Sequence, residues 1–313
     1  MKNIKGKTRA VVLGHAVADA LGVPVEFCDR AELDMRPVQE MLGYGTYPYP
    51  AGCWSDDTSM SLAALDSIAD GRVDFDDIMI RLGEWYYHDG YTPTGKLFDV
   101  GNVCSRAIDN YFLNNVPAVE CGPADEYSNG NGSLMRIHPF VLLAWSKGME
   151  VPEWESLIAG ASSLTHRHER SILGCLIYTE ILLRLLDDPS KESVRPALVE
   201  ASRRYADSPE LRHYGRLLSE DFAELAREEI RSTGYVVDTL EAAVWCVLTT
   251  DSYRDCVLKA ANLGEDTDTV AAVAGGLAGA LYGYDAIPSE WLDTLKRREY
   301  IEQMCDRASE AWT

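Results

Sequence analysis

From Lys7 to Arg307 the apolar residues of this chain recur at helical spacing, segment after segment, and almost nowhere alternate. That spacing builds helices with one buried stripe and leaves little to pair as a sheet. It predicts helices over Lys7–Leu21, Asp57–Ala69, Phe75–His88, Val100–Leu113, Leu134–Lys147, Trp154–Leu164 and Glu169–Leu186. Others follow over Ala197–Tyr205, Asp221–Glu229, Thr239–Thr249, Arg254–Ala261, Thr269–Tyr282 and Ser289–Arg307. Gly234–Asp238 is the one short strand candidate. No sequence period repeats, so an all-α, compact orthogonal multi-helix bundle is expected over a solenoid. The stretch from Pro189 to Gly234 carries few large apolar residues. Its internal Leu spacing favours peripheral helices over a linker, and a single domain over residues 1–313.

Two acidic clusters punctuate this helical pattern: Ser55-Asp56-Asp57-Thr58 and Asp266-Thr267-Asp268-Thr269. Each combines crowded carboxylates with hydroxyls and opens directly into a helix. A helix cap needs one such group, not several. Carboxylates this close repel one another unless a cation or a proton neutralises them. Brought together, the clusters would form an oxygen-only site for hard divalent metals, which points to an enzyme.

Other site classes fit poorly. An EF-hand needs a longer loop with a central glycine and a terminal glutamate. Asp266-Thr-Asp-Thr-Val270 matches a D-x-D-x-[TV] phosphatase signature literally, but it follows a helix-like segment and stands late in the chain. The eight cysteines form no C-x-x-C pair, which removes zinc-ribbon and thioredoxin readings. No Walker lysine and no dinucleotide glycine pattern is present. A formal charge of -21 opposes long-range attraction to nucleic acid or an anionic membrane. The longest apolar tract, Val270 to Tyr282, is too short to span a bilayer. A cytoplasmic protein with reduced thiols is expected, and a monomer is the simplest expectation for its assembly.

Three weaker features stand beside the clusters. Glu26 lies between Pro24 and Phe27, where a glutamate either points outward or serves a site. Asn129-Gly-Asn-Gly-Ser133 is either a plain turn or a phosphate cradle. His166 and His168 are two apart and do not share a helical face, so loop contacts with a ligand suit them better than a shared zinc.

Taken in order, the segments Ala18-Asp-Ala-Leu-Gly-Val-Pro-Val-Glu-Phe27, Trp54-Ser-Asp-Asp-Thr58, Phe98-Asp-Val-Gly101, Gly130-Asn-Gly-Ser-Leu-Met-Arg136, Thr165-His-Arg-His168 and Gly264-Glu-Asp-Thr-Asp-Thr269 resemble the ADP-ribosylglycohydrolase family. The resemblance spans residues 11 to 283. It implies an all-α fold holding a pair of magnesium or manganese ions. By motif, one ion would be held by Ser55, Asp56, Asp57 and Asp268, the other by Glu26, Asp266, Asp268 and Thr269. Asn131, Gly132, Ser133 and His166 would surround ADP-ribose. This chain departs from the common pattern at Ala18, at Glu265 in place of a glycine, and at Asn102-Val103-Cys104, where threonine is frequent.

The implied reaction is hydrolysis at C1″ of an ADP-ribosyl group carried by a protein or a small molecule. Asp56 and Asp57 are expected to position metal and water, and Asp99 to lie near the leaving group. A carboxylate matches a planar guanidinium in charge and shape, which favours an arginine linkage. Serine, nucleic-acid or free-metabolite linkages, phosphoester hydrolysis and simple ADP-ribose binding are the alternatives.

Overall fold

The computed structural model describes residues 2–313. Fourteen α-helices carry the fold among these residues: α1 (Ile4–Gly22), α2 (Arg30–Met35), α3 (Asp56–Ser67), α4 (Phe75–His88), α5 (Asn102–Asn114), α6 (His138–Lys147), α7 (Val151–Ser163), α8 (Glu169–Asp187), α9 (Val194–Arg204), α10 (Val236–Leu248), α11 (Tyr253–Ala261), α12 (Thr267–Tyr282), α13 (Ser289–Thr294) and α14 (Arg298–Trp312). The all-α expectation holds.

α12 is the axis of the core. Every residue from Thr267 to Leu281 is buried, as expected for a helix that is apolar or small on all sides. Its most extensive packing is against α1, which is itself buried from Ala10 to Gly22. The C-terminus of α1 and the N-terminus of α12 meet closely. A Cβ at Gly22 would lie 2.5 Å from both the Asp268 Cα and the Thr267 carbonyl oxygen, so only glycine fits. The Thr267 hydroxyl donates to the Gly22 carbonyl at 2.9 Å and fixes that junction.

The sequence expectation fails where loops capture backbone groups that a helix would otherwise use. Asp221–Glu229 forms two 3₁₀ turns, Phe222–Glu224 and Arg227–Glu229. Only Phe222 of these turns is buried, and Arg30 donates to the carbonyls of Arg227 and Ile230, replacing intrahelical bonds. The long C-terminal helix breaks into α13 and α14, because the Lys296 N–H donates to Gly52 of the 43–52 loop and Arg297 turns to φ +47°. Leu134–Arg136 is a 3₁₀ turn before α6, whose first turn contains Pro139. Gly234–Asp238 is not a strand: Tyr235 makes a single antiparallel bridge to Gly130, and Val236–Asp238 already form the first turn of α10. The short helix α2 escaped the sequence reading.

Candidate active site

α1 presents Asp19 one turn before its end, and that carboxylate latches onto the start of α3. One oxygen accepts from the Ser55 N–H at 2.9 Å; the other accepts from the Thr58 N–H at 3.0 Å and the Thr58 hydroxyl at 2.5 Å. Asp19 thus supplies acceptors to N–H groups that the first turn of a helix leaves unpaired. Ser55 is the N-cap of α3, accepting from the Asp57 N–H at 3.3 Å and donating to its carboxylate at 3.0 Å. Across the gap, the Thr269 hydroxyl of α12 donates to the same Asp57 carboxylate at 3.2 Å. The two acidic clusters, more than two hundred residues apart in sequence, therefore converge.

Two groups of carboxylates result, each with one oxygen per residue and all within 4.8 Å: Asp19, Asp57 and Asp268, and Glu26, Asp266 and Asp268. Asp268 belongs to both. Both oxygens of Asp19 also accept from α3, so Asp19 ties the start of that helix to the carboxylate group it belongs to. Three other oxygens are buried without any partner: Oε2 of Glu26, Oδ1 of Asp57 and Oδ2 of Asp268. Unpaired buried carboxylate oxygens are costly unless a proton or cation meets them. An all-oxygen donor set from three segments fits a hard divalent cation. Asp56 faces the adjacent cavity, and its Oδ2 accepts weakly from the Gly101 N–H at 3.4 Å.

The electrostatics agree. Burial, reinforced by neighbouring carboxylates, holds Asp56, Asp57 and Asp268 well above the ordinary carboxylate range. Burial, with the charge of Asp99, pushes Glu26 up to about 9. Burial raises Asp19 to about 7 against the bonds from Thr58 and Ser55, and raises Asp99 to about 6. A divalent cation would oppose these shifts by favouring the ionised carboxylates.

The site opens into a cavity of about 310 Å³, lined by Glu26, Asp56, Asp99, Asp266 and Thr269. Gly130, Asn131, Gly132 and His166 also line it. Asn131 donates to Asp266 at 2.7 Å and to Thr239 at 2.9 Å, tying its segment to the carboxylates. A Cβ at Gly132 would meet Cys104 Sγ and His166 Cε1, each at 2.8 Å, so the cavity depends on glycine there. His166 is buried, its Nδ1 3.0 Å from the Thr165 hydroxyl, and burial beside Arg136 lowers it to about 3. It is neutral at physiological pH. Ser133 does not line the cavity; it is fully buried, accepting from the Ser162 hydroxyl at 2.9 Å. His168 caps α8. A second depression of about 380 Å³ adjoins at Gly130, between Tyr127 and Tyr235. A larger hollow of about 810 Å³ lies elsewhere, from Ser67 to Val119, where Asp70 and Asp77 pair with Arg72 and Arg81.

Two residues at the site were not picked out from the sequence. Asp19 was visible as a polar residue in an apolar helix. Tyr47 was not: its hydroxyl lies beside both Glu26 and Asp99, and its ring sits 5.1 Å from Phe98. Tyr49 stacks on the same Phe98 ring at 4.4 Å. The Gly-Tyr-Pro loop thus braces both segments.

Fold and site together define an all-α enzyme with a carboxylate-lined cavity. A family profile described as ADP-ribosylglycohydrolase matches residues 1–313. A solved structure, an ADP-ribosylglycohydrolase-related protein complex, superposes with a TM-score of 0.83 at 30% identity over 100% of both chains. The ADP-ribosylarginine hydrolase Tri1 of Pseudomonas putida is 34% identical over 95% of this chain and 76% of its own length. The ADP-ribosyl-[dinitrogen reductase] glycohydrolase of Rhodospirillum rubrum is 31% identical over 94% of this chain and 91% of its own. The chain belongs to the ADP-ribosylglycohydrolase family and is an ADP-ribosyl glycohydrolase.

Proposed function

We propose that this enzyme hydrolyses the bond between C1″ of an ADP-ribosyl group and an arginine side chain, with divalent-cation dependence, as one catalytic domain over residues 1–313. The observation that carries this reading is the convergence of unpartnered oxygens from Glu26, Asp57 and Asp268 beside a cavity that also holds Asp99. Names of relatives that specify arginine or dinitrogen reductase as carrier support the linkage.

Glu26, Asp57, Asp266 and Asp268, with Ser55, Asp56 and Thr269 at their edges, would hold a pair of Mg²⁺ or Mn²⁺ ions. When bound, the cations supply charge neutralisation, orientation of ribose hydroxyls and acidification of a water. In the reaction the C1″–N bond breaks with its electron pair going to nitrogen, and a water oxygen bonds to C1″. Asp56, facing the cavity, takes the proton of that water. A proton returns to the departing guanidine, so arginine leaves as its guanidinium. Asp99, at the cavity wall, offers a carboxylate to that planar cation. Asn131, Gly132 and neutral His166 line the ribose pocket, with Ser133 stabilising it from within the core. The adjoining depression at Gly130 gives room for the nucleotide half. No helix among the described residues is long and apolar enough to cross a membrane, and all eight cysteines are free, which fits a protein of the reducing cytoplasm.

The test is incubation with arginine- and serine-linked ADP-ribosyl peptides, with Mg²⁺, with Mn²⁺ and with chelator. Free ADP-ribose from the arginine peptide, only when a divalent ion is present, is the expected result. Release of phosphate, or full activity in chelator, would overturn the proposal.

A further inference from the structure

Phe27 follows the buried Glu26 directly, yet it is 69% exposed and lines the catalytic cavity. Its backbone stands at φ +64°, a left-handed conformation that a bulky side chain rarely adopts. An exposed residue gains no core packing to offset that strain. The strain is held from outside. The Phe27 N–H donates to the Glu265 carbonyl at 2.7 Å, and the Glu265 N–H donates back to the Cys28 carbonyl at 2.9 Å. Glu265 itself sits at φ +62°, and the Thr46 hydroxyl clamps the Glu26 carbonyl at 2.6 Å. Strain maintained at a ligand cavity points to a role in recognition.

The ring has the properties of a stacking platform. It is the one phenyl ring lining the cavity, and no aromatic ring pairs with it among the described residues. The same cavity carries Asp99, a third left-handed residue at φ +53°. A guanidinium offers flat faces to a ring and an edge of N–H donors to a carboxylate. We infer that Phe27 is a specificity residue of the acceptor subsite: it stacks on the guanidinium of the modified arginine while Asp99 pairs with its edge. This assignment rests on the arginine linkage proposed above.

The test compares wild type with Phe27→Ala, Phe27→Tyr and Phe27→Trp on an arginine-linked ADP-ribosyl peptide, alongside calorimetric titration of each with free ADP-ribose. Loss of a stacked cation raises KM for the peptide about 3- to 30-fold in Phe27→Ala, with kcat within about twofold. Phe27→Tyr and Phe27→Trp keep the wild-type KM, and all four proteins bind ADP-ribose equally, since free ADP-ribose lacks the acceptor. An unchanged KM in Phe27→Ala overturns the assignment. Weaker ADP-ribose binding in that variant also overturns it, by placing the ring against the nucleotide sugar. A wild-type enzyme that leaves the arginine peptide intact refutes the linkage itself, and the assignment falls with it.

Discussion

Tyr47 shows how a single hydroxyl can brace a site whose groups repel one another. Its O–H lies between Glu26 and Asp99, two carboxyls that burial pushes upward. Tyr47→Phe keeps the ring against Phe98 and removes only that donor. A hydroxyl that can hydrogen-bond in such a place contributes about 0.5–1.5 kcal/mol, so kcat should fall by about two- to tenfold while thermal stability changes little. Steady-state kinetics with a parallel melting curve checks this. Glu265 makes the opposite case: it occupies a left-handed position that glycine adopts without strain. Glu265→Gly should stabilise the fold by about 0.5–1 kcal/mol, after the entropy cost of glycine, as read from urea unfolding. At this scale the sequence exposed Asp56, Asp57, Asp266 and Asp268, because crowded carboxylates have few uses. Glu26 stood out between Pro24 and Phe27, but only the resemblance chose a site role for it over an outward-pointing one. Tyr47 stayed hidden, since its role depends on Thr46 folding back to donate its N–H to Pro24 at 2.9 Å, a contact no local pattern encodes.

Helix junctions, more than helix faces, set the geometry of the active site. The end of α1 meets the start of α12 at Gly22, and Asp19 on α1 latches the start of α3. Gly22→Ala drives a Cβ into rigid backbone at Thr267 and Asp268. Overpacking of this kind costs about 1–3 kcal/mol and displaces Asp268. Denaturant unfolding should register that loss, and divalent-ion affinity should fall with it; unchanged affinity would show that the junction does not set the site. Helical spacing located most helices to within a few residues, since each buries one continuous stripe. It failed at Asp221–Glu229 and at Lys296, where Arg30 and Gly52, distant in sequence, take the backbone partners. Capture by a remote group leaves no trace in local periodicity.

At the scale of the molecule, the buried carboxylates couple stability to pH and to cations. Their folded-state pKa values lie above the unfolded ones, so the folded chain binds more protons and loses stability as pH rises through that window. His15 and His166 are lowered to about 4 and about 3, and they act in the opposite sense only below the ordinary histidine range. Between about pH 7 and 8.5 the carboxylates dominate, with Glu26 at about 9 and Asp57 and Asp268 well raised. The chelator-treated protein should therefore melt at progressively lower temperature across that interval. Added Mg²⁺ or Mn²⁺ should restore most at the alkaline end, where the carboxylates are ionised; scanning fluorimetry measures both. A melting temperature that rises with pH in chelator would refute this coupling.

The most direct measurement is calorimetric titration of Mn²⁺ into chelator-stripped protein, wild type and Asp268→Asn. Since Asp268 belongs to both carboxylate groups, wild type should take up about two ions per chain, and the variant should bind neither with wild-type affinity. Absence of saturable Mn²⁺ binding in wild type, or an identical isotherm for Asp268→Asn, would contradict the account.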